Sequence, residues 1–247
     1  MTVVFKKTKG LTETPLSYCP GCTHGIIQRL VAESLEELGV IDNTIQIASV
    51  GCSVMSYDYF NTDAIQAAHG RAPAVATGVK RVQPDKIVFT YQGDGDLASI
   101  GTGEIVQAAH RGENITVIFV NNAIYGMTGG QMAPTTLIHQ KTTTSPLGRD
   151  PLTQGEPILM SELISTIPGA YYVERVMTAD PVSVRKAKIA IKKAFQNQID
   201  HKGFSMIEVL SSCNIGWGMS PVEALKHIKG PMQDYYPLGV YKDKGKQ

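Results

Sequence analysis

Residues 86–96 read KIVFTYQGDGD, and residues 115–122 read ITVIFVNN. Each is a short β-rich run closed by a tight polar turn. Between them, residues 100–111 carry helical spacing with small side chains on one face. Strand, helix and strand in this order predict two adjacent parallel strands whose turns, GDGD and NN, share one sheet edge. Such edges, at the carboxyl ends of strands, are where ligands bind.

The same alternation extends in both directions. Upstream, Ile26, Ile27, Leu30, Val31, Leu35 and Leu38 recur at helical spacing and Gly39 is a natural stop. Residues 44–50 alternate like a strand that ends at Gly51, and a helix over 73–81 must end before Pro84. Downstream, residues 121–157 form a Gly-, Thr- and Pro-rich stretch, long enough to predict a functional loop. A short helix near 158–167, a strand at 171–176, a helix at 181–199 and a strand at 204–210 follow. The expected fold is α/β: an open, mostly parallel sheet with helices on both faces. The chain reads as one domain, 1–247, with 211–247 as a C-terminal extension. That extension carries Pro221, Pro231 and Pro237 and is expected to wrap over the domain surface or a partner.

Bulk composition narrows the function. Apolar residues make up 43% of the 247, enough for a full core. Lys plus Arg is 23 against 22 Asp plus Glu, a net +1 that selects neither nucleic acid nor an acidic membrane surface as partner. No apolar run approaches the roughly 18–20 residues of a membrane span. Residues 1–10 lack the apolar core of a signal peptide. The expected location is the cytoplasm, where the four cysteines, Cys19, Cys22, Cys52 and Cys213, are not expected to form disulfides.

The GDGD and NN turns suit a diphosphate and its cation. Magnesium takes oxygen ligands in octahedral geometry and shares them with phosphate. Asp94 can supply a carboxylate oxygen and Asn122 an amide oxygen, while Gly93 and Gly95 allow a tight turn close to phosphate. The cysteines form a second constellation. Cys19 and Cys22 flank a Pro-Gly turn before the first helix, Cys52 follows the first strand, and Cys213 follows the last predicted strand. Four thiolates suit a [4Fe–4S] cluster or structural zinc, and Cys19 with Cys22 alone would suit a redox dithiol.

Gly-Asp-Gly, about 25 residues, then Asn-Asn resembles the signature of thiamine-diphosphate enzymes. That resemblance implies Mg2+ held by Asp94, Asn122 and the carbonyl of Ile124. The further motifs CPGC-x-HG at 19–25, Gly51-Cys52-Ser53, His69-Gly70-Arg71-Ala72 and residues 126–131, GMTGGQ, resemble the β subunit of 2-oxoacid:ferredoxin oxidoreductases. Thr23 departs from the family, which more often has glycine there. The likeness implies a [4Fe–4S] cluster on all four cysteines. It also implies thiamine diphosphate among Gly51, Cys52, Ser53, His69, Gly93, Asp94, Gly95, Asp96, Asn122, Ile124, Gly126, Met127 and Thr128, with His69, Met127 and Thr128 at the reacting centre. His24 reads equally as structural or functional; His110, His139, His201 and His227 read as ordinary surface or core residues.

The implied reaction is CoA-dependent oxidative decarboxylation of a 2-oxoacid to acyl-CoA and carbon dioxide, with electrons leaving to ferredoxin. Glu104 is expected to face away, so the activating glutamate must come from an α subunit that supplies the pyrimidine-binding half. A γ subunit, a ferredoxin-like δ subunit and external ferredoxin complete the expected assembly. Residues 53–57, SVMSY, offer no base for a second carboxylate, so a branched-chain substrate of the 2-oxoisovalerate type is favoured over 2-oxoglutarate or pyruvate. The competing readings are a non-catalytic zinc-stabilised module and a thiamine decarboxylase without electron transfer.

Overall fold

The computed structural model describes residues 6–246. The reading of residues 1–10 as free of a targeting segment therefore falls partly outside the described residues. Seven strands form one sheet: β1 (Thr44–Ala48), β2 (Asp63–Gln66), β3 (Ile87–Gly93), β4 (Thr116–Asn121), β5 (Ala170–Met177), β6 (Phe204–Leu210) and β7 (Gly239–Asp243). Their spatial order is β2-β1-β3-β4-β6-β5-β7. All neighbours are parallel except β5 and β7.

The central strands are buried on both faces, which is why they read as continuous apolar runs. Alternate residues serve opposite faces. Phe89, Tyr91, Ile118 and Val120 pack under helices His24–Glu37 and Pro181–Ile199. Val88, Val117 and Phe119 pack under helices Ala72–Val82, Thr102–His110 and Met160–Ser165. Helix Pro181–Ile199 begins where expected because Asp180 caps it, accepting from the Ser183 N–H, and Pro181 takes the first turn.

Two strands lie outside the elements expected from the sequence, and one helix boundary differs. The edge strand β2 has all four residues exposed, so it carries no apolar signal and was not foreseen. The helix expected from Ile100 is preceded by a π-helical turn, Asp96–Ile100, and its regular part runs Thr102–His110. The C-terminal segment packs on the domain and adds β7 to the sheet. Its Ile228, Met232 and Tyr236 form a third core with Ala123, Leu137, Met177 and Leu210.

One residue makes a large share of the bonds within the long stretch after β4. Arg149, 4% exposed, donates to the carbonyls of Ala133, Pro134, Thr136, Gln154, Gly155 and Glu156. One guanidinium thus satisfies carbonyls that no ladder reaches.

Candidate active site

The neighbours β1, β3, β4 and β6 are parallel, so their carboxyl ends lie side by side. Gly51 and Cys52, then Gly93 to Asp96, then Asn122 to Ile124, then Cys213 leave the sheet at that one edge. They line two cavities, of about 310 and 460 Å³, that share His24, Cys52, Asn122, Gly126 and Met127.

All thirteen residues expected around the cofactor line the first cavity. Asp94 lies 3% exposed at its base. It accepts from the Ile124 N–H (3.2 Å), Thr135 Oγ1 (2.8 Å) and the Gly95 N–H (2.9 Å). Burial pushes its carboxyl up to about 6 in spite of those bonds, the state of an anion that wants a cation. The Asn122 amide stands 2.7 Å from the Ile124 carbonyl oxygen and 3.1 Å from Asp94 Oδ2. Turned one way, its nitrogen donates to both. Turned the other, its oxygen joins theirs, and three oxygens converge, Asp94 Oδ2 also accepting from the Ile124 N–H and the Thr135 hydroxyl; a small hard cation suits such an oxygen set. The donor set therefore fits Mg2+.

The turn that makes this convergence is strained and braced. Ala123 sits at φ 56°, a left-handed conformation that costs a side-chain-bearing residue about 1 kcal/mol or more. Asn121 Oδ1 accepts from its N–H, and Thr136 Oγ1 and Gln140 Nε2 donate to its carbonyl. Trp217 Nε1 donates to the Asn122 carbonyl at 3.0 Å. Asn121 is itself held by Glu208, a fully buried carboxylate paired with the fully buried Arg175.

His69 reaches the cavity from the loop after β2, its Nδ1 2.6 Å from Asp96 Oδ1. Met127 is half exposed, and the Thr128 hydroxyl donates to Gln131. Glu104 lines neither cavity and pairs with Arg71. Among the described residues, neither cavity is lined by glutamate, lysine or arginine.

The second cavity is lined by all four cysteines. A Cβ on Gly126 would lie 3.0 Å from Cys213 Sγ and 3.7 Å from Cys52 Sγ, so these two thiols flank the wall between the cavities. The segment bearing Cys19 and Cys22 is tied to the end of β6. Ser212 Oγ donates to the Gly21 carbonyl, Asn214 Nδ2 to the Pro20 carbonyl, and the Thr23 hydroxyl bonds Ser211 Oγ and accepts from the Ser212 N–H. Thr23 is thus a buried tie between segments. Burial raises the thiol pKa values, Cys22 to about 11 and Cys213 to about 12, with neighbouring cysteines adding to the rise. Such thiols ionise readily only with a positive centre among them. Among the described residues no three His, Cys, Asp or Glu side chains are close enough to hold a single ion. Four thiols around a roomy cavity suit a multi-iron cluster better than one zinc.

His24 lines both cavities and is 2% exposed. Its Nδ1 bonds the Tyr91 hydroxyl at 2.8 Å, its ring stacks on Tyr18, and burial lowers its pKa to about 4. Sequence reasoning missed Ser99, Ile100 and Tyr125, which line the first cavity, and Thr135, which bonds Asp94. The π-helical turn that turns the first two inward has no sequence signal, and Thr135 lies in the long loop. Tyr125 also lies in the long loop, and its ring packs against Gly95, where an added Cβ would meet it at 2.8 Å.

The family model described as "Thiamine pyrophosphate enzyme, C-terminal TPP binding domain" matches residues 49–209. Ketoisovalerate oxidoreductase subunit VorA of Methanothermobacter marburgensis is 47% identical over 99% of this chain and 51% of that protein. The chain thus spans about half the length of the VorA relatives it matches. 2-Oxoglutarate synthase subunit KorB of Methanocaldococcus jannaschii is 38% identical over 87% of this chain and 77% of that protein. Among solved structures, the 2-oxoglutarate:ferredoxin oxidoreductase from Magnetococcus marinus with 2-oxoglutarate, coenzyme A and succinyl-CoA bound aligns with a TM-score of 0.78. The identity is 26%, over 98% of this chain and 86% of that one. The chain belongs to the thiamine pyrophosphate enzymes, and among them to the 2-oxoacid:ferredoxin oxidoreductase subunits.

Proposed function

We propose that this chain is a single cofactor-binding domain that holds thiamine diphosphate with Mg2+ in the first cavity and a [4Fe–4S] cluster in the second. The observation that carries this reading is the shared wall: an oxygen cluster and a thiol cluster stand on either side of Gly126. When bound, thiamine diphosphate supplies carbanion stabilisation at a 2-oxoacid, and an iron–sulfur cluster accepts single electrons. Asp94, Asn122 and the Ile124 carbonyl hold the metal, and Gly93 and Gly95 keep the backbone low beneath the diphosphate. Met127 and Thr128 lie above, on the open side, and His69 faces the reacting atoms. Cys19, Cys22, Cys52 and Cys213 hold the cluster.

The reaction of the assembled enzyme is CoA-dependent oxidative decarboxylation, with electrons delivered to ferredoxin. An α subunit supplies the pyrimidine-binding half and its glutamate, since no glutamate lines either cavity among the described residues. A γ subunit and a ferredoxin-like δ subunit complete it. A cytoplasmic setting accords with four unpaired cysteines. Among the described residues no helix is long and apolar enough to cross a membrane.

The favoured substrate is a branched-chain 2-oxoacid of the 2-oxoisovalerate type. The first supporting observation is the lack of a basic residue in either cavity lining among the described residues. The second is the higher identity to relatives named for ketoisovalerate, 47% and 46%, than to those named for 2-oxoglutarate, 38% or less. The test is anaerobic purification of the complex, with iron, sulfide and thiamine analysis of this subunit and its absorption spectrum. A brown chromophore bleached by 2-oxoisovalerate with CoA, and far less by 2-oxoglutarate, is expected. Bleaching by 2-oxoglutarate alone would reassign the substrate; a colourless zinc protein would overturn the cluster.

A further inference from the structure

We infer that Asp96 is a positioning residue that commits His69 Nδ1 and thereby presents His69 Nε2 to the cavity as its proton acceptor. The inference rests on the reading of this cavity as the cofactor and 2-oxoacid site. Asp94 and Asp96 stand two residues apart in one GDGD turn, yet their surroundings differ. The Asp96 side chain is fully buried, and both of its oxygens are taken by protein donors. Oδ1 meets the Gly70 N–H (2.8 Å), the Val50 N–H (3.3 Å) and His69 Nδ1 (2.6 Å). Oδ2 accepts from Gln92 Nε2 (2.7 Å), whose Oε1 in turn accepts from the Thr90 hydroxyl (2.8 Å). Oδ1, the oxygen that faces the ring, thus carries three contacts and Oδ2 one.

The same bonds decide where the imidazole proton sits. The backbone N–H groups of Gly70 and Val50 can only donate. A proton on Oδ1 would face both of those N–H groups, so the hydrogen in the 2.6 Å contact belongs on His69 Nδ1. The bond made by one ring nitrogen fixes the state of the other, and a carboxylate behind a histidine acts in this way in acid–base sites. The backbone beside the ring is closely packed. Gly70, at φ +77°, lies against the π-helical turn so closely that a Cβ would meet Gly101 N and the Ile100 carbonyl carbon at 2.8 Å. His69 therefore has one bound nitrogen inside and one free nitrogen outside, in the cavity that Asp94 and Asn122 also line.

The test has two arms. Long-range proton–nitrogen NMR on the full chain, labelled at its six histidines and kept above the usual histidine titration range, reads the tautomer. The His69 signal, identified by its loss in His69→Gln, is expected to carry its proton on Nδ1 with Nε2 bare. In Asp96→Ala the proton is expected to move to Nε2. In Asp96→Asn it is expected to stay, because the two backbone N–H groups turn the amide oxygen toward the ring while Gln92 flips its own amide. The second arm is turnover by the assembled enzyme. His69→Gln and Asp96→Ala should each lower kcat roughly 100-fold and leave KM within about twofold. The double variant should be no slower than either, and Asp96→Asn should recover part of the rate. A bare Nδ1 in the unaltered chain overturns the inference, as do losses that multiply in the double variant, since that outcome makes Asp96 merely structural. The NMR arm needs no turnover. An unaltered enzyme inactive on every 2-oxoacid would sink the functional reading and leave the pairing to be judged by the tautomer alone.

Discussion

The oxygen cluster of Asp94, Asn122 and Ile124 and the thiol cluster of Cys19, Cys22, Cys52 and Cys213 stand on the same sheet edge but are assembled differently. The first comes from the ends of two neighbouring strands, joined by one crossover. Its oxygens are brought together by strand pairing and one braced, left-handed residue, Ala123. The second gathers the ends of β1 and β6 and the Cys19–Cys22 segment, which side-chain ties from Thr23, Ser212 and Asn214 fasten to the end of β6 across almost 200 positions of chain. A cluster built on the sheet should survive local damage elsewhere; a cluster built on ties should be lost piecemeal.

The largest expected effect breaks the first cluster alone. Asp94→Asn removes its only carboxylate and should weaken Mg2+-dependent thiamine diphosphate binding by more than about 100-fold, read by calorimetric titration. Iron content should not change. A parallel loss of iron would show that the two clusters are not independent.

The reverse experiment is Cys213→Ser. Iron should fall from about four per chain to well under one, while thiamine diphosphate affinity stays within about twofold. Because the Cys213 thiol flanks Gly126, a large loss of thiamine affinity would mean that the shared wall collapses without the cluster.

A smaller effect tests the ties. Thr23→Val keeps the side chain's shape and removes a buried hydroxyl that serves Ser211 and Ser212. It should cost about 1–2 kcal/mol in denaturant unfolding and lower iron retention, with no change at the oxygen cluster. Unchanged stability and iron would mean that the cluster itself, once bound, holds the segments.

The smallest effect lies outside both clusters and serves as their control. The backbone N–H of Ser183 and the Lys229 ammonium hold Asp180 at a pKa of about 2, and Glu162 is held below its usual value by Arg175 against the opposing effect of burial. Both folded pKa values lie below the unfolded ones. Their contribution is therefore present above the unfolded values, and it is lost as pH falls through the folded values. Urea unfolding at stepped pH should show stability declining from about pH 4.5 toward pH 2, and Asp180→Asn should flatten that slope. A slope unchanged by the substitution would remove Asp180 from the account.

The central fold was legible because β3, β4 and β6 are buried on both sides and the helices between them are amphipathic. Helix Pro181–Ile199 was legible to the residue through its Asp-Pro start. The edge strands were not, since exposed Asp63–Gln66 and half-buried Gly239–Asp243 take their conformation from a neighbouring strand. At the site, GDGD and NN named residues that line the first cavity, but Thr135 and the cavity-lining side of the π-helical turn had no local signal.

What the sequence by itself determined was identity: which residues carry carboxylate, amide and thiol, and which strand ends bear them. That follows because spacing and side-chain chemistry are properties of the chain. Only the tertiary structure decided their roles. Asp94 and Asp96 are the same side chain in one short turn, yet Asp94 stands beside the Asn122 amide and the Ile124 carbonyl, while Asp96 binds His69 and Gln92. Burial and the direction of neighbouring dipoles separate them, and both arise from contacts made by distant segments.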